Sequence, residues 1–183
     1  MKKTLLIILG CILVLFFVLL ITGVISFDFI SKEDIRFQPD VLNIPYIING
    51  ESFALVNGKV EKEYAPGSAT KNILSIFGEP VYGDFDNDGD VDAGVMLQHN
   101  PGGSGMFYYA VFVMNDKEAS QPTNAILLGD RIAPQTIEAR EGYVIYNYAE
   151  RGVDEPMTTP PSIGKSLYVK YNSNIKTIGE FIK

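Results

Sequence analysis

AGVMLQHNPGGSGMFYYAVFVMN, residues 93–115, holds two apolar runs, 93–99 and 105–115, separated by the turn-forming stretch NPGGSG. The second run is almost continuously apolar and rich in aromatic and β-branched residues. That is the composition of a central strand buried on both faces. Two such strands joined by a glycine-rich turn predict an antiparallel pair at the heart of a β domain.

The pattern extends in both directions. Downstream, TNAILLG (123–129), RIAPQTIEAR (131–140) and GYVIYNYAE (142–150) read as further strands, with Pro134 marking an edge or a bulge. RGVDEPMTTPPSIG (151–164) contains three prolines and reads as an irregular loop before a last strand, KSLYVKYN (165–172). Upstream, IPYIINGESFALVNGKVEKEY (44–64) carries two Asn-Gly pairs, Asn49-Gly50 and Asn57-Gly58, between short apolar runs. Asn-Gly accepts the positive φ angles of tight hairpins, so three strands in a meander are expected. GSATKNILSIFGEP (67–80) reads differently. Ser68 can cap a helix, Ile73, Leu74 and Phe77 can share one helical face, and Gly78 and Pro80 supply stop signals. The expected fold is therefore mainly β (α+β): a single antiparallel β domain with one short helix, and no internal repeat of the solenoid or propeller kind.

The amino terminus is a separate element. Two lysines, Lys2 and Lys3, precede an uncharged run from Leu5 to Phe27, which is 23 residues long. A helix of that length crosses a hydrocarbon core of roughly 30 Å, and it is longer than the ~7–15-residue apolar region of a cleavable signal peptide. Lysines before the run favour a cytoplasmic amino terminus. The expected organisation is a transmembrane anchor at 1–27, a juxtamembrane linker at 28–43, an extracytoplasmic β-rich domain at 44–172 and a carboxyl-terminal tail at 173–183. Membrane contact is expected through residues 5–27. Cys11, in ILGC, loosely resembles a lipobox cysteine. The apolar residues mostly follow it instead of preceding it, so a small apolar position inside the membrane helix is the simpler reading.

Charge narrows the function classes. The net charge is -7, and beyond residue 27 the chain carries 13 basic and 22 acidic residues. Nucleic-acid binding draws on clustered lysine and arginine, so it is not expected here. One cysteine and one histidine exclude an intrachain disulfide, multi-cysteine zinc sites and two-histidine metal motifs.

DFDNDGDVD (84–92) places Asp84, Asp86, Asp88, Asp90 and Asp92 at alternate positions. The pattern D-x-D-x-D-G-x-x-D suits a loop that curls its odd positions around a hard cation taking six to eight oxygen ligands. Asp84, Asp86, Asp88 and Asp92 would offer side chains and residue 90 its carbonyl, with Gly89 permitting the sharp turn. An EF-hand would need glutamate at loop position 12, where Val95 stands. All five aspartates are candidate metal ligands, the expected ion is Ca²⁺, and its expected role is structural.

Other constellations are weaker. Ser104 lacks the following x-Gly of a nucleophile elbow, because Met106 occupies that place, and His99 is five residues away. Asp130-Arg131 suits a turn or an ion pair. Glu150, Asp154 and Glu155 suit a solvated acidic loop, with glycosidase-like paired carboxylates a remote alternative. Phe107, Tyr108, Tyr109, Tyr143, Tyr146 and Tyr148 could line a recognition surface, although strand aromatics mostly build cores.

FGEPVYGDFDNDGDVDAGVML (77–97), PGGSGMFYYAVFVMN (101–115), NAILLGDRIAPQTIE (124–138) and EPMTTPPSIGKSLYVKY (155–171) together resemble a family of uncharacterised bacterial envelope proteins. That family combines an amino-terminal membrane or lipoprotein anchor with a D-x-N-x-D-G-x-x-D loop, a G-T-F-Y-Y strand and an LLGDRIAPQ segment. The resemblance spans about residues 43–171. Asp86 stands where asparagine is common, which keeps an oxygen ligand, and Met106 stands in place of the threonine. The resemblance implies an envelope location and no particular activity. The function expected from the sequence is a membrane-anchored binding or scaffold module facing an envelope protein or cell-wall partner. The alternative is an envelope hydrolase with an unrecognised active site.

Overall fold

The computed structural model describes residues 37–116 and 119–181. The expected anchor, Cys11 and most of the expected linker lie outside the described residues. Among the described residues every regular element is a strand, and no helix is long and apolar enough to cross a membrane.

The two apolar runs form β5 (Asp92–Asn100) and β6 (Phe107–Asp116), antiparallel, with Ala93 opposite Val113 and His99 opposite Phe107. They occupy the middle of a sheet ordered β3 (Lys59–Glu63), β4 (Lys71–Gly83), β5, β6, β7 (Ala119–Pro122). β8 (Ile126–Asp130) also pairs with β6, beyond the stretch that β7 covers. Successive side chains of a strand point to opposite faces, so β6 divides its apolar residues between two cores. Tyr108, Ala110, Phe112 and Met114 enter one; Tyr109, Val111 and Val113 enter the other.

The first core is closed by a four-stranded sheet, ordered β12 (Thr177–Glu180), β11 (Ile163–Asn172), β10 (Tyr143–Glu150), β9 (Ala133–Arg140). Val144, Tyr146 and Tyr148 of β10, with Val169 and Ile178, form its inner surface. The second core is closed by a two-stranded ribbon, β1 (Pro45–Ile48) and β2 (Glu51–Ala54), through Tyr46, Ile48, Phe53 and Leu55. The result is three β layers, with the six-stranded sheet in the middle. The layers meet closely at Gly94, where a Cβ would lie 3.0 Å from Val144 Cγ2 and 3.2 Å from Val81 Cγ2. Beside it the fully buried Tyr146 hydroxyl reaches the backbone oxygens of Val95 and Val111, each at 3.2 Å, tying one sheet to the other.

Two sequence expectations require correction. The stretch read as a helix is the long strand β4. Its backbone pairs with β3 through Lys71–Ser75 and with β5 through Ile73–Phe77 and Val81–Gly83. A ladder on both edges outweighs a helical spacing of three apolar residues. The supposed stop signals lie in a bulge between Phe77 and Val81, where Gly78 takes a φ of 70° and Pro80 needs no ladder donor. The meander is also incomplete. Asn49-Gly50 joins β1 to β2 with φ values of 52° and 82°, as a two-residue hairpin requires. Asn57-Gly58 turns the chain as well, but only a single Val56–Lys59 bridge follows, and β3 departs into the six-stranded sheet. Pro134 lies on the edge strand β9, opposite Tyr148 and beside a bulge. β12 falls within the stretch read from the sequence as a tail.

Candidate metal centre

The acidic loop connects β4 to β5 and is held at both ends by buried groups. Phe85 is 1% exposed and packs its ring 4.9 Å from that of Phe112, in the core between the two large sheets. Gly83 makes room for it, since a Cβ there would lie 2.9 Å from the Phe85 ring. At the other end Asp92 is also 1% exposed. Its carboxylate accepts the backbone N–H of Phe85 (2.8 Å) and of Asn115 (2.9 Å). Asn115 in turn donates its side-chain amide to the carbonyl of Phe37. Entry to the loop, its exit and the end of β6 are thereby joined through one carboxylate.

Between these anchors the loop is shaped by aspartates bonding forward to the backbone. Asp84 accepts the N–H groups of Asn87 (2.7 Å) and Gly89 (3.1 Å), Asp86 accepts that of Asp88 (3.1 Å), and Asp88 accepts that of Asp90 (2.8 Å). These local bonds are the reason aspartate competes well for turns. Asn87 and Gly89 carry φ values of 65° and 93°, which bend the chain back on itself.

Curling the loop gathers carboxylate oxygens of Asp84, Asp86 and Asp88 within 4.8 Å of one another. Two oxygens bound to the same hard cation at 2.3–2.6 Å are at most about 5 Å apart, so this spacing is compatible with the three carboxylates sharing one ion. Asp84 accepts one backbone N–H on each oxygen and Asp86 and Asp88 on one oxygen only, so every carboxylate retains acceptor capacity. Among the described residues, no ion pair engages any of the five aspartates. Burial raises the Asp86 pKa, and the neighbouring Asp88 charge raises it further. Asp92 is pushed up to about 6, chiefly by burial and against the two backbone N–H bonds, with the charges of Asp86 and Asp88 adding to the rise. Burial raises Tyr171 as well, assisted by Asp86 and Asp92. Crowded negative charge of this kind is what a bound cation relieves.

The structure therefore separates the five candidate ligands. Asp84, Asp86 and Asp88 come together. Asp90 supplies a backbone donor to Asp88 and stands outside the trio. Asp92 is buried, is not gathered with the three, and binds the backbone N–H groups of Phe85 and Asn115. The anchoring roles of Phe85, Asp92 and Asn115 escaped sequence reasoning. The one available signal was Phe85, an aromatic residue inside an otherwise polar turn. Asp86 and Asp88 line a cleft of about 350 Å³ that is also bordered by Asp116, Gln121, Tyr171, Ser173 and Lys176.

The other candidate groups are not assembled into a site. Ser104 is exposed in the β5–β6 turn, whereas His99 is 6% exposed with its Nε2 at 2.8 Å from Asn72 Oδ1. Asp130 pairs with Arg131 and also accepts the Met106 N–H, and the Arg131 and Met106 bonds hold its pKa below the usual range against the opposing effect of burial. Glu150 pairs with Lys165, and the Glu155 carboxylate accepts the Gly152 N–H within the exposed loop. Of the six aromatic candidates, Tyr108, Tyr109, Tyr146 and Tyr148 are buried in the cores. No family profile, curated protein or solved structure matches this chain.

Proposed function

We propose that this chain is a membrane-anchored binding or scaffold module of the bacterial cell envelope, with its β domain facing outward and one calcium ion clipping the loop between β4 and β5. The observation that carries the calcium reading is the approach of Asp84, Asp86 and Asp88 to within 4.8 Å. Their ligand set is all oxygen, which favours a hard cation. Calcium suits a set of protein oxygens better than magnesium, which retains its waters. Zinc would seek nitrogen or sulfur. The single histidine, His99, lies seven residues along β5 from Asp92, roughly 23 Å away for an extended strand.

The ion's role is structural. It joins three carboxylates in the connection between two central strands, and its removal leaves like charges crowded together. An outward-facing domain meets calcium at the roughly 10⁻⁴–10⁻³ M level at which extracellular sites of modest affinity fill. The uncharged run at 5–27 and the lysines before it support the anchored orientation, and the resemblance to envelope proteins supports the location.

Calorimetric titration of the full chain with calcium, after treatment with a chelator, tests the site. One ion is expected to bind, and the melting temperature is expected to rise with calcium concentration as ligand linkage requires. Replacing Asp84, Asp86 and Asp88 together by asparagine is expected to abolish both effects. Absence of binding heat, with equal melting in calcium and chelator, would refute the calcium assignment. Protease treatment of intact cells tests the location independently: the β domain should be degraded while an internal control protein survives.

A further inference from the structure

His99 is buried where the β1–β2 ribbon covers the six-stranded sheet. It lies on β5 in the row Ala93, Val95, Leu97, whose side chains enter the second core, and it is paired with Leu74 on β4 and Phe107 on β6. The Phe53 ring of the ribbon stands edge-on to the imidazole, with centroids 5.3 Å apart, and the Tyr109 ring lies at 6.4 Å. Asn72 on β4 is oriented by its Nδ2 donating to Glu51 Oε2, which leaves Oδ1 to accept from His99 Nε2. The tautomer that satisfies this pair carries its proton on Nε2 and leaves Nδ1 buried with no partner. Such a group is unusual in a folded protein and calls for a physical reason.

The ribbon is also the layer most easily separated. Among the described residues its strands form a ladder only with each other. A two-stranded ribbon is marginal by itself, so it depends on docking Tyr46, Ile48, Phe53 and Leu55. Its polar ties to the sheet include Lys62 on β3, which reaches Glu51 Oε1 at 2.8 Å and the Ser52 carbonyl at 2.6 Å. The same ammonium lies 4.2 Å from the Phe53 ring centre.

We propose that the β1–β2 ribbon is a pH-sensitive cover whose docking on the six-stranded sheet is weakened when His99 takes up a proton. Protonation turns the partnerless Nδ1 into a buried donor and adds positive charge beside Phe53, whose ring already carries the Lys62 ammonium. The charged or titratable groups around the site are Glu51 on the ribbon, Lys62 on β3 and Tyr109 on β6. Glu51 alone favours the imidazolium, and it is already engaged by Lys62 and Asn72. Burial lowers the His99 pKa, and the Glu51 charge offsets that only in part. The docked state therefore binds this proton more weakly than the open state. Docking is fully supported above the ordinary histidine pKa of about 6.5 and loses support as pH falls below it. Each unit by which the pKa is lowered corresponds to about a tenfold rise in the open population. The open form exposes Val95, Leu97, Tyr109 and Val111.

Amide hydrogen exchange on the full chain, corrected for intrinsic rates at about pH 7 and about pH 5, reads this opening. Amides of β1 and β2 are expected to lose protection at the lower pH, by up to about tenfold for a lowering of one unit, while those of β10 keep theirs. His99→Phe and His99→Gln should remove the difference. Because His99 is the only histidine, its ring protons give an unambiguous titration in the unaltered chain, and the loss of ribbon protection should begin near the ordinary histidine value of about 6.5 and level off as that titration completes. Three results would overturn the proposal: ribbon protection independent of pH, a His99 midpoint at or above about 6.5, or parallel loss of protection in β10.

Discussion

Phe85 is the residue on which the acidic loop turns. Its neighbours at 84, 86 and 88 are drawn to solvent or to a cation, while the ring is drawn into the core against Phe112. One residue thus converts burial energy into placement of three carboxylates. Phe85→Ala removes a fully buried ring and should lower stability by about 3–5 kcal/mol in denaturant unfolding. It should also weaken calcium binding, whereas Phe85→Leu should retain most of both. Asp92 works beside it in a different way. Its two backbone N–H bonds make it a fastener between the loop and the end of β6. Nothing in D-x-D-x-D-G-x-x-D distinguishes that aspartate from the gathered three. The distinction arises because the Asn115 N–H, 23 residues away in sequence, is brought against it.

At the scale of elements, β4 shows how a strand can resemble a helix locally. Ile73, Leu74 and Phe77 satisfy a helical spacing, yet the same stretch is rich in residues that fit a pleated surface. Partners on both sides then decide between the two. The bulge at Gly78 lets one strand serve two registers with β5. A Cβ at Gly78 would meet nothing within 4 Å, so crowding is not what reserves the position for glycine. Its φ of 70° is. Gly78→Ala should therefore cost about 1–2 kcal/mol through backbone strain alone. Thermal melting should show that loss, and the strand content by circular dichroism should be unchanged. A larger loss, with the sheet disrupted, would mean that the bulge had failed to re-form.

At the scale of the whole molecule, the central sheet is buried on both faces, and its two covers differ in kind. The four-stranded sheet is tied in by a broad apolar surface and by the Tyr146 hydroxyl at the Val95 and Val111 carbonyls. Burial raises the Tyr146 pKa far above the ordinary phenol value, so the group remains a neutral donor at all physiological pH. Tyr146→Phe keeps the ring and removes only that tie. It should lower stability by about 0.5–1.5 kcal/mol. The midpoint of denaturant unfolding should move while its slope does not, because the exposed surface is the same. The ribbon on the opposite face is smaller and has no ladder to the sheet it covers, which makes it the layer that a single buried histidine can influence.

The sequence by itself determined most of the strand positions, the two Asn-Gly turns, most of the irregular loop read at 151–164 and the existence of an acidic turn able to gather oxygens. Each of these follows from local chemistry: alternation of side chains, positive φ at asparagine and glycine, proline without a donor, and aspartate bonding forward to the next backbone N–H. Tertiary structure alone decided that residues 71–83 are a strand, that β3 leaves the ribbon for another sheet, and that three aspartates gather while Asp92 turns inward. Those outcomes depend on partners far along the chain. The nearly continuous apolar run of β6 states that both faces are buried but carries no record of what buries each. The geometry of a carboxylate is likewise set by whichever backbone donors the fold delivers to it.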